Sequence, residues 1–299
     1  MTEFLPARSV SEGSILAIVA PAGPFDREAF EAGVKWLRER YEVRFSDGIF
    51  SKTGYFAGSD VRRRRELQDA IDDPEVDAIL CARGGFGATR LLPELDPETV
   101  TAANKLLVGF SDVTALHALW ARAGVRSVHA PMVAALGSAS GETRQKWIDA
   151  LEDREGESCP RVFELETISS AAELPVEGRL FGGNLAVLGA LIGTPYAPPL
   201  EETILFLEDV GERPYRVDRM LTTMRQAGWL EAVEGVVLGA FTESQPGDDG
   251  ISIEDVFRDH FGEWKKPVLS GLAAGHIREN EPLVFGKTAR ILGGNLELD

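Results

Sequence analysis

Short apolar runs alternate with longer amphipathic segments along the first half of the chain. The runs at 14–20, 76–82 and 105–109 are mostly apolar, which is typical of strands buried on both faces of a sheet. The segments at 26–40 and 114–122 place apolar residues at helical spacing. Strands that alternate with helices predict an α/β fold with a mostly parallel sheet flanked by helices.

The pattern changes near the middle of the chain, where a polar stretch separates two differently patterned halves. We predict an N-terminal α/β domain over residues 1–150, a linker over 151–172 and a smaller C-terminal α/β domain over 173–299. The C-terminal domain is expected to be rich in short strands, since brief apolar runs such as 203–207 and 235–240 recur there.

The chain is strongly acidic, which excludes some classes of partner. Its 299 residues carry 48 Asp and Glu against 31 Lys and Arg, a formal net charge of −17. Nucleic acids and anionic membranes bind basic surfaces, so we expect neither as a partner. Four arginines at 62–65 fall in a predicted helix over 59–72, and we assign them to its solvated face. A further helix is predicted over 88–92.

Cysteine usage and the N-terminus both favour a cytoplasmic protein. Cys81 sits in an apolar run and Cys159 is distant from it, so a buried free thiol in a reducing compartment is expected. The first ten residues lack a basic stretch followed by a long apolar run, so no signal peptide is predicted. No apolar run approaches the roughly 18 residues of a membrane span.

A serine follows the buried run at 105–109. Gly109 permits a sharp turn, and Ser111 then stands at the start of the helix predicted over 114–122. Helix N-termini favour negative charge, which suits an attacking oxygen and the oxyanion that it creates. Ser and Asp are also preferred helix caps, so a plain N-cap is the alternative interpretation.

A second predicted strand ends in a glycine loop, at Arg83, Gly84 and Gly85. If this strand neighbours the one before Ser111, both loops meet outside the carboxyl ends of the sheet, where ligands bind. The backbone N–H groups of Gly85 and Asp112 are then candidates for an oxyanion hole. A tight turn explains the same glycines equally well.

A serine nucleophile needs a base and a group that orients the base. Among the histidines, His117 is too close in sequence to reach back easily, whereas His276 follows a small-residue run and Gly275. Glu208, after the run at 203–207, is a candidate acid. A structural histidine and a loop-capping carboxylate remain the alternatives.

Other chemistries lack their motifs. The chain has no HExxH, no tight cluster of His, Cys and acids, no GxxxxGK[ST], and no GxGxxG after its first strand. The GxSxG of α/β-hydrolases is absent too, because Val113 replaces its last glycine. We therefore expect neither a metal nor a cofactor.

Five blocks occur together, in order, across nearly the whole chain. They are 83–87 with 90–92, 109–116, 182–185 with 193–195, 207–209 with 215–221, and 275–276. Together these blocks resemble the LD-carboxypeptidases, a family of serine peptidases that includes murein tetrapeptide carboxypeptidases and microcin-immunity peptidases. The resemblance implies a triad of Ser111, Glu208 and His276, with the nucleophile from the first domain and its partners from the second. It also implies a metal-free homodimer.

An exopeptidase must also hold the free carboxylate of its substrate. Arg83 and Arg213 are candidates, since a guanidinium pairs with a carboxylate through two hydrogen bonds. Ordinary surface or structural roles are the alternative for both arginines. We add Gly84 and Asn184, which lie in blocks of the resemblance, to the predicted substrate-binding residues.

The expected function is cleavage of the bond between the L-centre of meso-diaminopimelate and the terminal D-alanine of a murein tetrapeptide, in cell-wall peptide recycling. The alternatives are a microcin-immunity-type peptidase acting on peptidyl-nucleotides and a non-catalytic α/β protein that binds a small ligand.

Two departures from the family pattern bear on substrate preference. The chain has His-Ala-Pro-Met at 129–132 where the family often has His-Gly-Pro-Met, and Arg278 where it often has a histidine.

Overall fold

The computed structural model describes residues 4–152, 160–171 and 175–299, and these divide into two compact units. The first unit comprises described residues 4–152 and 281–284, and the second comprises 160–171, 175–280 and 285–299. Cys159 and the part of the predicted linker at 153–159 lie outside the described residues. The domain boundaries predicted from the sequence stay a prediction.

Strands and helices alternate through most of the chain. The strands are β1 (Ile15–Val19), β2 (Glu42–Arg44), β3 (Ala78–Cys81), β4 (Leu106–Gly109), β5 (Ser127–His129), β6 (Arg161–Glu164), β7 (Glu166–Thr167), β8 (Val176–Asn184), β9 (Thr203–Val210), β10 (Gly235–Thr242), β11 (Val268–Ser270), β12 (Leu283–Phe285), β13 (Thr288–Leu292) and β14 (Asn295–Leu298). The helices are α1 (Arg27–Leu37), α2 (Asp60–Asp72), α3 (Pro97–Ala103), α4 (Thr114–Arg122), α5 (Val133–Leu136), α6 (Gly141–Glu152), α7 (Leu185–Leu191), α8 (Pro214–Gln226), α9 (Trp229–Ala232) and α10 (Ile253–Phe261).

A largely parallel sheet forms the centre of the first unit. Its strand order is β12-β5-β4-β3-β1-β2, and the pairs β1–β2, β1–β3, β3–β4 and β4–β5 are parallel. Every residue of β3 and β4 is buried, because helical crossovers cover a parallel sheet. The strand β12 comes from far along the chain, which explains why residues 281–284 belong to this unit.

Helices α1 and α2 begin where polar side chains satisfy their first N–H groups. Asp26 accepts a hydrogen bond from Ala29 N at 2.8 Å, and Ser59 caps α2 in the same way. The buried face of α2 includes Arg63, which is fully buried. The assignment of all four arginines at 62–65 to a solvated face was therefore wrong, because the helical period turns Arg63 towards Leu67 and the core.

A mixed sheet forms the centre of the second unit, in the order β6-β14-β13-β8-β9-β10-β11-β7. Its central strands β8, β9, β10 and β11 are parallel, while β13, β14 and β6 add antiparallel pairs at one edge and β7 at the other. The predicted α/β fold class is confirmed.

Two local expectations differ from the structure. The predicted helix over 88–92 is two short 3-10 turns, Ala88–Arg90 and Leu92–Glu94, since Pro93 has no N–H to continue an α-helix. Glu208 lies inside β9 rather than after it, because the strand continues to Val210. In the described parts of the chain, each helix is too short or too polar to span a membrane.

Candidate active site

Ser111 lies at the turn from β4 into α4, in a backbone conformation that L-residues rarely adopt. Its φ is +64°. The preceding residue, Phe110, is extended, and Ser111 begins the 3-10 turn Ser111–Val113 that leads into the helix. The left-handed conformation costs an L-residue about 1–2 kcal/mol. Such strain concentrates at functional sites. An N-cap has an extended backbone, so this geometry does not fit the plain capping interpretation.

The glycine loop after β3 lies directly against this serine. A Cβ added to Gly84 would sit 2.9 Å from Ser111 Cβ and 3.1 Å from its Oγ, so only a glycine fits there without displacing the serine. The strands β3 and β4 are parallel neighbours, which confirms that the two loops meet at one end of the sheet. The sequence placed Gly84 among substrate-binding residues, and that role stays a prediction.

Gly23 orients the first peptide of the glycine loop. Its N–H donates to Gly84 O at 3.0 Å. The described chain contains no cis peptide, so the Gly85 N–H points away from Gly23, opposite to the Gly84 carbonyl. The role of the Gly85 N–H as an oxyanion donor stays a prediction.

A buried histidine supports the strand that ends at the serine. His117 Nε2–H donates to Gly109 O at 2.9 Å, and its Nδ1 lies 2.8 Å from Ser127 Oγ. Burial lowers the pKa of His117 to about 4, so the ring is neutral at physiological pH. The ring therefore joins β4 to β5 as a structural group, in agreement with its dismissal as the base.

In the second unit, the structure brings Glu208 and His276 together. Glu208 is fully buried in β9, and its Oε2 accepts a hydrogen bond from His276 Nδ1–H at 2.7 Å. Gly275 makes this approach possible, because its φ is +124° and a Cβ there would lie 2.8 Å from the same Oε2. An Nδ1–H held by a carboxylate places the basic lone pair on Nε2.

Asn280 holds the turn that carries the histidine, and sequence reasoning missed it. Its Oδ1 accepts a hydrogen bond from Gly275 N at 2.7 Å, and the residue is buried. A second bond, from Ala240 N to Ala274 O at 2.9 Å, ties the same turn to β10. A polar residue four positions after His276 is a weak sequence signal, since only the folded turn reveals its partner.

Asn184 has structural contacts that the sequence did not indicate. Its Oδ1 accepts from Val187 N at 3.1 Å as the N-cap of α7, and its Nδ2 donates to Asp209 Oδ1 at 3.0 Å. Asp209 also accepts from Ala186 N at 2.9 Å, and burial raises its pKa to about 6. Glu208 and Asp209 leave β9 on opposite faces, so they serve different partners. Substrate binding by Asn184 stays a prediction.

The two predicted carboxylate anchors are exposed arginines in different units. Arg83 donates through Nη1 to Pro24 O at 2.6 Å beside the glycine loop. Arg213 stands at the N-terminus of α8. Their exposure is compatible with a substrate role and equally with an ordinary surface role, so both assignments stay predictions.

The first unit also contains a cavity that lies apart from the serine. A cavity of about 740 Å³ lies against β1, β2 and α2, and its lining does not include Ser111 or the glycine loop. Its Arg44 is already paired with Glu75 at 2.8 Å. Among the residues that the structure describes, no group of three or more His, Cys, Asp or Glu could hold a metal ion.

Comparison with known proteins decides the family. The model of the LD-carboxypeptidase N-terminal domain matches residues 16–130, and that of the C-terminal domain matches residues 177–297. The chain belongs to the LD-carboxypeptidase family. Both matched regions include proposed active-site residues, and the assignment makes the protein a hydrolase of the peptidase class.

Similar proteins support this assignment over the full length. A putative carboxypeptidase of Streptomyces coelicolor is 35% identical, and the match covers 100% of this chain and 97% of the relative. The crystal structure of a muramoyltetrapeptide carboxypeptidase from Oxalobacter formigenes is 30% identical, with a TM-score of 0.82 over 95% of this chain and 98% of that one. The microcin C7 self-immunity protein MccF gives a TM-score of 0.87 over 98% of both chains, but at 21% identity this likeness shows the fold alone.

Proposed function

We propose that this protein is a serine carboxypeptidase that cleaves the L,D-peptide bond of murein tetrapeptides and releases the terminal D-alanine. The observation that carries the proposal is the backbone of Ser111, a non-glycine residue at φ +64° where a buried parallel strand turns into a helix. A strained strand-to-helix turn is how hydrolases expose a nucleophilic serine. The name of the Oxalobacter formigenes structure supports the substrate class.

In the proposed mechanism, His276 is the general base and Glu208 orients it. The hydrogen bond of 2.7 Å from Nδ1–H to Glu208 leaves Nε2 as the nitrogen that takes the proton of the Ser111 hydroxyl. The hydroxyl oxygen then attacks the carbonyl carbon of the diaminopimelate residue. The carboxylate of Glu208 stabilises the imidazolium that forms.

The tetrahedral intermediate needs hydrogen-bond donors for its oxyanion. We assign this role to the backbone N–H groups of Gly85 and Asp112, each worth about 10²–10³ in rate where such donors have been removed. The imidazolium of His276 returns its proton to the leaving nitrogen as the C–N bond breaks and D-alanine departs. Water, deprotonated by the same imidazole, then hydrolyses the acyl-enzyme and regenerates Ser111.

Recognition of the substrate belongs to the same proposal. Arg83 and Arg213 are the candidate anchors for the D-alanine carboxylate, with Gly84 and Asn184 as further substrate-binding residues. The remaining expectations are a homodimer, a cytoplasmic location and no need for a cofactor. Light scattering of the purified protein measures the first of these.

A release assay tests the function. The protein is incubated with L-Ala-γ-D-Glu-meso-diaminopimelate-D-Ala, and free alanine of either configuration is measured by chromatography of the reaction mixture. The matched substrate ends in L-alanine. We expect release from the D-alanine peptide only, a loss of about 10⁴-fold or more in Ser111→Ala and in His276→Ala, and no effect of a chelator.

The outcomes separate the proposal from its alternatives. Turnover of a peptidyl-nucleotide but not of the tetrapeptide would assign the protein to the microcin-immunity type. Binding of tetrapeptide without any turnover would favour a non-catalytic ligand-binding protein. Equal release from the D- and L-alanine peptides would overturn the L,D-specificity.

A further inference from the structure

The side chain of Asp112 joins the nucleophile turn to the glycine loop. Asp112 follows Ser111 directly and is buried. Its Oδ2 accepts a hydrogen bond from Ala88 N at 2.8 Å. One residue of the serine turn therefore holds the far end of the loop that contains Gly85.

Arg63 holds the same peptide group from its other side. Its Nη1 donates to Gly87 O at 2.9 Å and also to Pro21 O. The Gly87 carbonyl and the Ala88 N–H belong to one planar peptide unit, so Arg63 and Asp112 together determine how that plane is turned. Arg63 is itself held by an ion pair with Asp60.

The loop is thus anchored at both ends, with Gly85 between the anchors. At the first end, the N–H of Gly23 holds the Gly84 carbonyl at 3.0 Å. At the second end, Asp112 and Arg63 hold the Gly87–Ala88 peptide. Among these anchoring residues, only Asp112 belongs to the serine turn.

We propose that the Asp112 carboxylate is a positioning residue that keeps the two oxyanion donors at a matched spacing. This inference rests on the proposed function, in which the Asp112 N–H is one donor and the Gly85 N–H is the other. Asp112 supplies the first through its backbone and places the second through its side chain. Donors must lie 2.7–3.1 Å from the oxyanion to act, so a small shift of the loop weakens one of them.

The Asp112 carboxyl accepts the Ala88 N–H in surroundings that disfavour its charge. Burial raises the pKa of Asp112 to about 6, against the opposing effects of the Ala88 N–H and the Arg63 charge. A charged carboxylate at this position therefore lowers the stability of the folded protein at neutral pH. A charged acceptor binds a backbone N–H more strongly than a neutral one does, which suits accurate placement of the Gly87–Ala88 peptide.

The test compares Asp112→Ala and Asp112→Asn with a matched control. Asn keeps an oxygen that can accept from Ala88 N. The control is Glu152→Gln in the same unit, because Glu152 is also buried and paired, with Arg40 at 2.5 Å and Tyr41 at 2.7 Å. We expect Asp112→Ala to lower kcat for D-alanine release by about 10²-fold with KM within threefold, and Asp112→Asn to recover to within tenfold of the parent.

A second readout distinguishes placement of the donors from a structural role. A tetrapeptide analogue with a boronate at the scissile carbon should lose affinity for Asp112→Ala by the same factor as kcat. Binding of the intact tetrapeptide, measured in a Ser111→Ala background, should change less than threefold. Glu152→Gln should lose stability but keep kcat. An unchanged kcat in Asp112→Ala, or equal losses of boronate and tetrapeptide affinity, overturns the proposal.

A substrate-independent assay separates this inference from the proposed function. The rate at which a fluorophosphonate labels Ser111 depends on the oxyanion donors but not on the peptide. If the protein ignores the tetrapeptide yet labels, the function fails while slower labelling of Asp112→Ala still supports the inference. Equal labelling of Asp112→Ala and the parent overturns the inference, and the absence of both labelling and D-alanine release overturns the inference and the proposed function together. If Asp112→Ala does not fold, Asp112→Ser, whose side chain is too short to reach Ala88, takes its place.

Discussion

A methyl group at Gly84 should move the nucleophile without altering any reacting atom. The Cβ of Gly84→Ala would lie 2.9 Å from Ser111 Cβ, whereas carbon atoms in contact prefer about 3.5–4.0 Å. At least ~0.6 Å of displacement must therefore be shared between the loop and the serine turn. Misplacing a reacting group by about 1 Å costs roughly 10²-fold in rate, equivalent to about 2.7 kcal/mol in the activation barrier. Overpacking of this kind also destabilises by about 1–3 kcal/mol.

The assay is kcat for D-alanine release together with the free energy of unfolding from urea titration. The matched control is Gly141→Ala, because a Cβ at Gly141 meets nothing within 4 Å and this residue begins α6 in the same unit. We expect about a 10²-fold fall in kcat for Gly84→Ala and no change for the control. Full activity in a stably folded Gly84→Ala would refute the close packing of the glycine loop on the serine.

Three further predictions follow from the same geometry. Ser111→Gly and Ser111→Ala should both be inactive, but the glycine variant should be more stable by about 0.5–1 kcal/mol in urea titrations because it relieves the positive φ; equal stabilities would contradict the strain. His117 is neutral in the fold with a pKa lowered to about 4, so protonation of the unfolded chain costs stability as the pH falls from 6.5 to 4. The stability advantage of the parent over His117→Gln should shrink by about 3 kcal/mol over that range, and a constant gap would count against a buried neutral ring. Asn280→Ala should lower kcat and leave KM nearly unchanged, because the Gly275 N–H loses its acceptor. Asn280→Asp keeps an oxygen at this position and should retain more activity. Equal losses of activity in the two variants would argue against that hydrogen bond.

The sequence predicts the strands that end at the glycine loop and at the serine, but their pairing only as a condition. Buried apolar runs before Gly84 and Ser111 are parallel neighbours, as expected from strands that alternate with helices. The pairing of Glu208 with His276, taken from resemblance, is a direct hydrogen bond in the second unit. These features are predictable because the apolar runs indicate the strands, and the order of the five blocks indicates which residues resemble those of the family.

The supporting side chains could not be predicted in the same way. Arg63 lies in a run of arginines that looks solvated, and only the rotation of α2 against the core buries it. Asp112 and Asn280 each act on a backbone N–H that only the folded loop brings within reach, Ala88 for the first and Gly275 for the second. Such contacts depend on loop geometry, and a single sequence carries no periodic signal for them.

The central claim is that Ser111 forms a covalent acyl-enzyme with the peptide. Rapid acid quenching of the protein with murein tetrapeptide, followed by mass spectrometry of its digest, measures this directly. We expect a mass increase equal to the tripeptide acyl group on the fragment that contains Ser111, and the loss of both this increase and D-alanine release in Ser111→Ala. Continued D-alanine release by Ser111→Ala, or an acyl group on any other residue, would contradict the account.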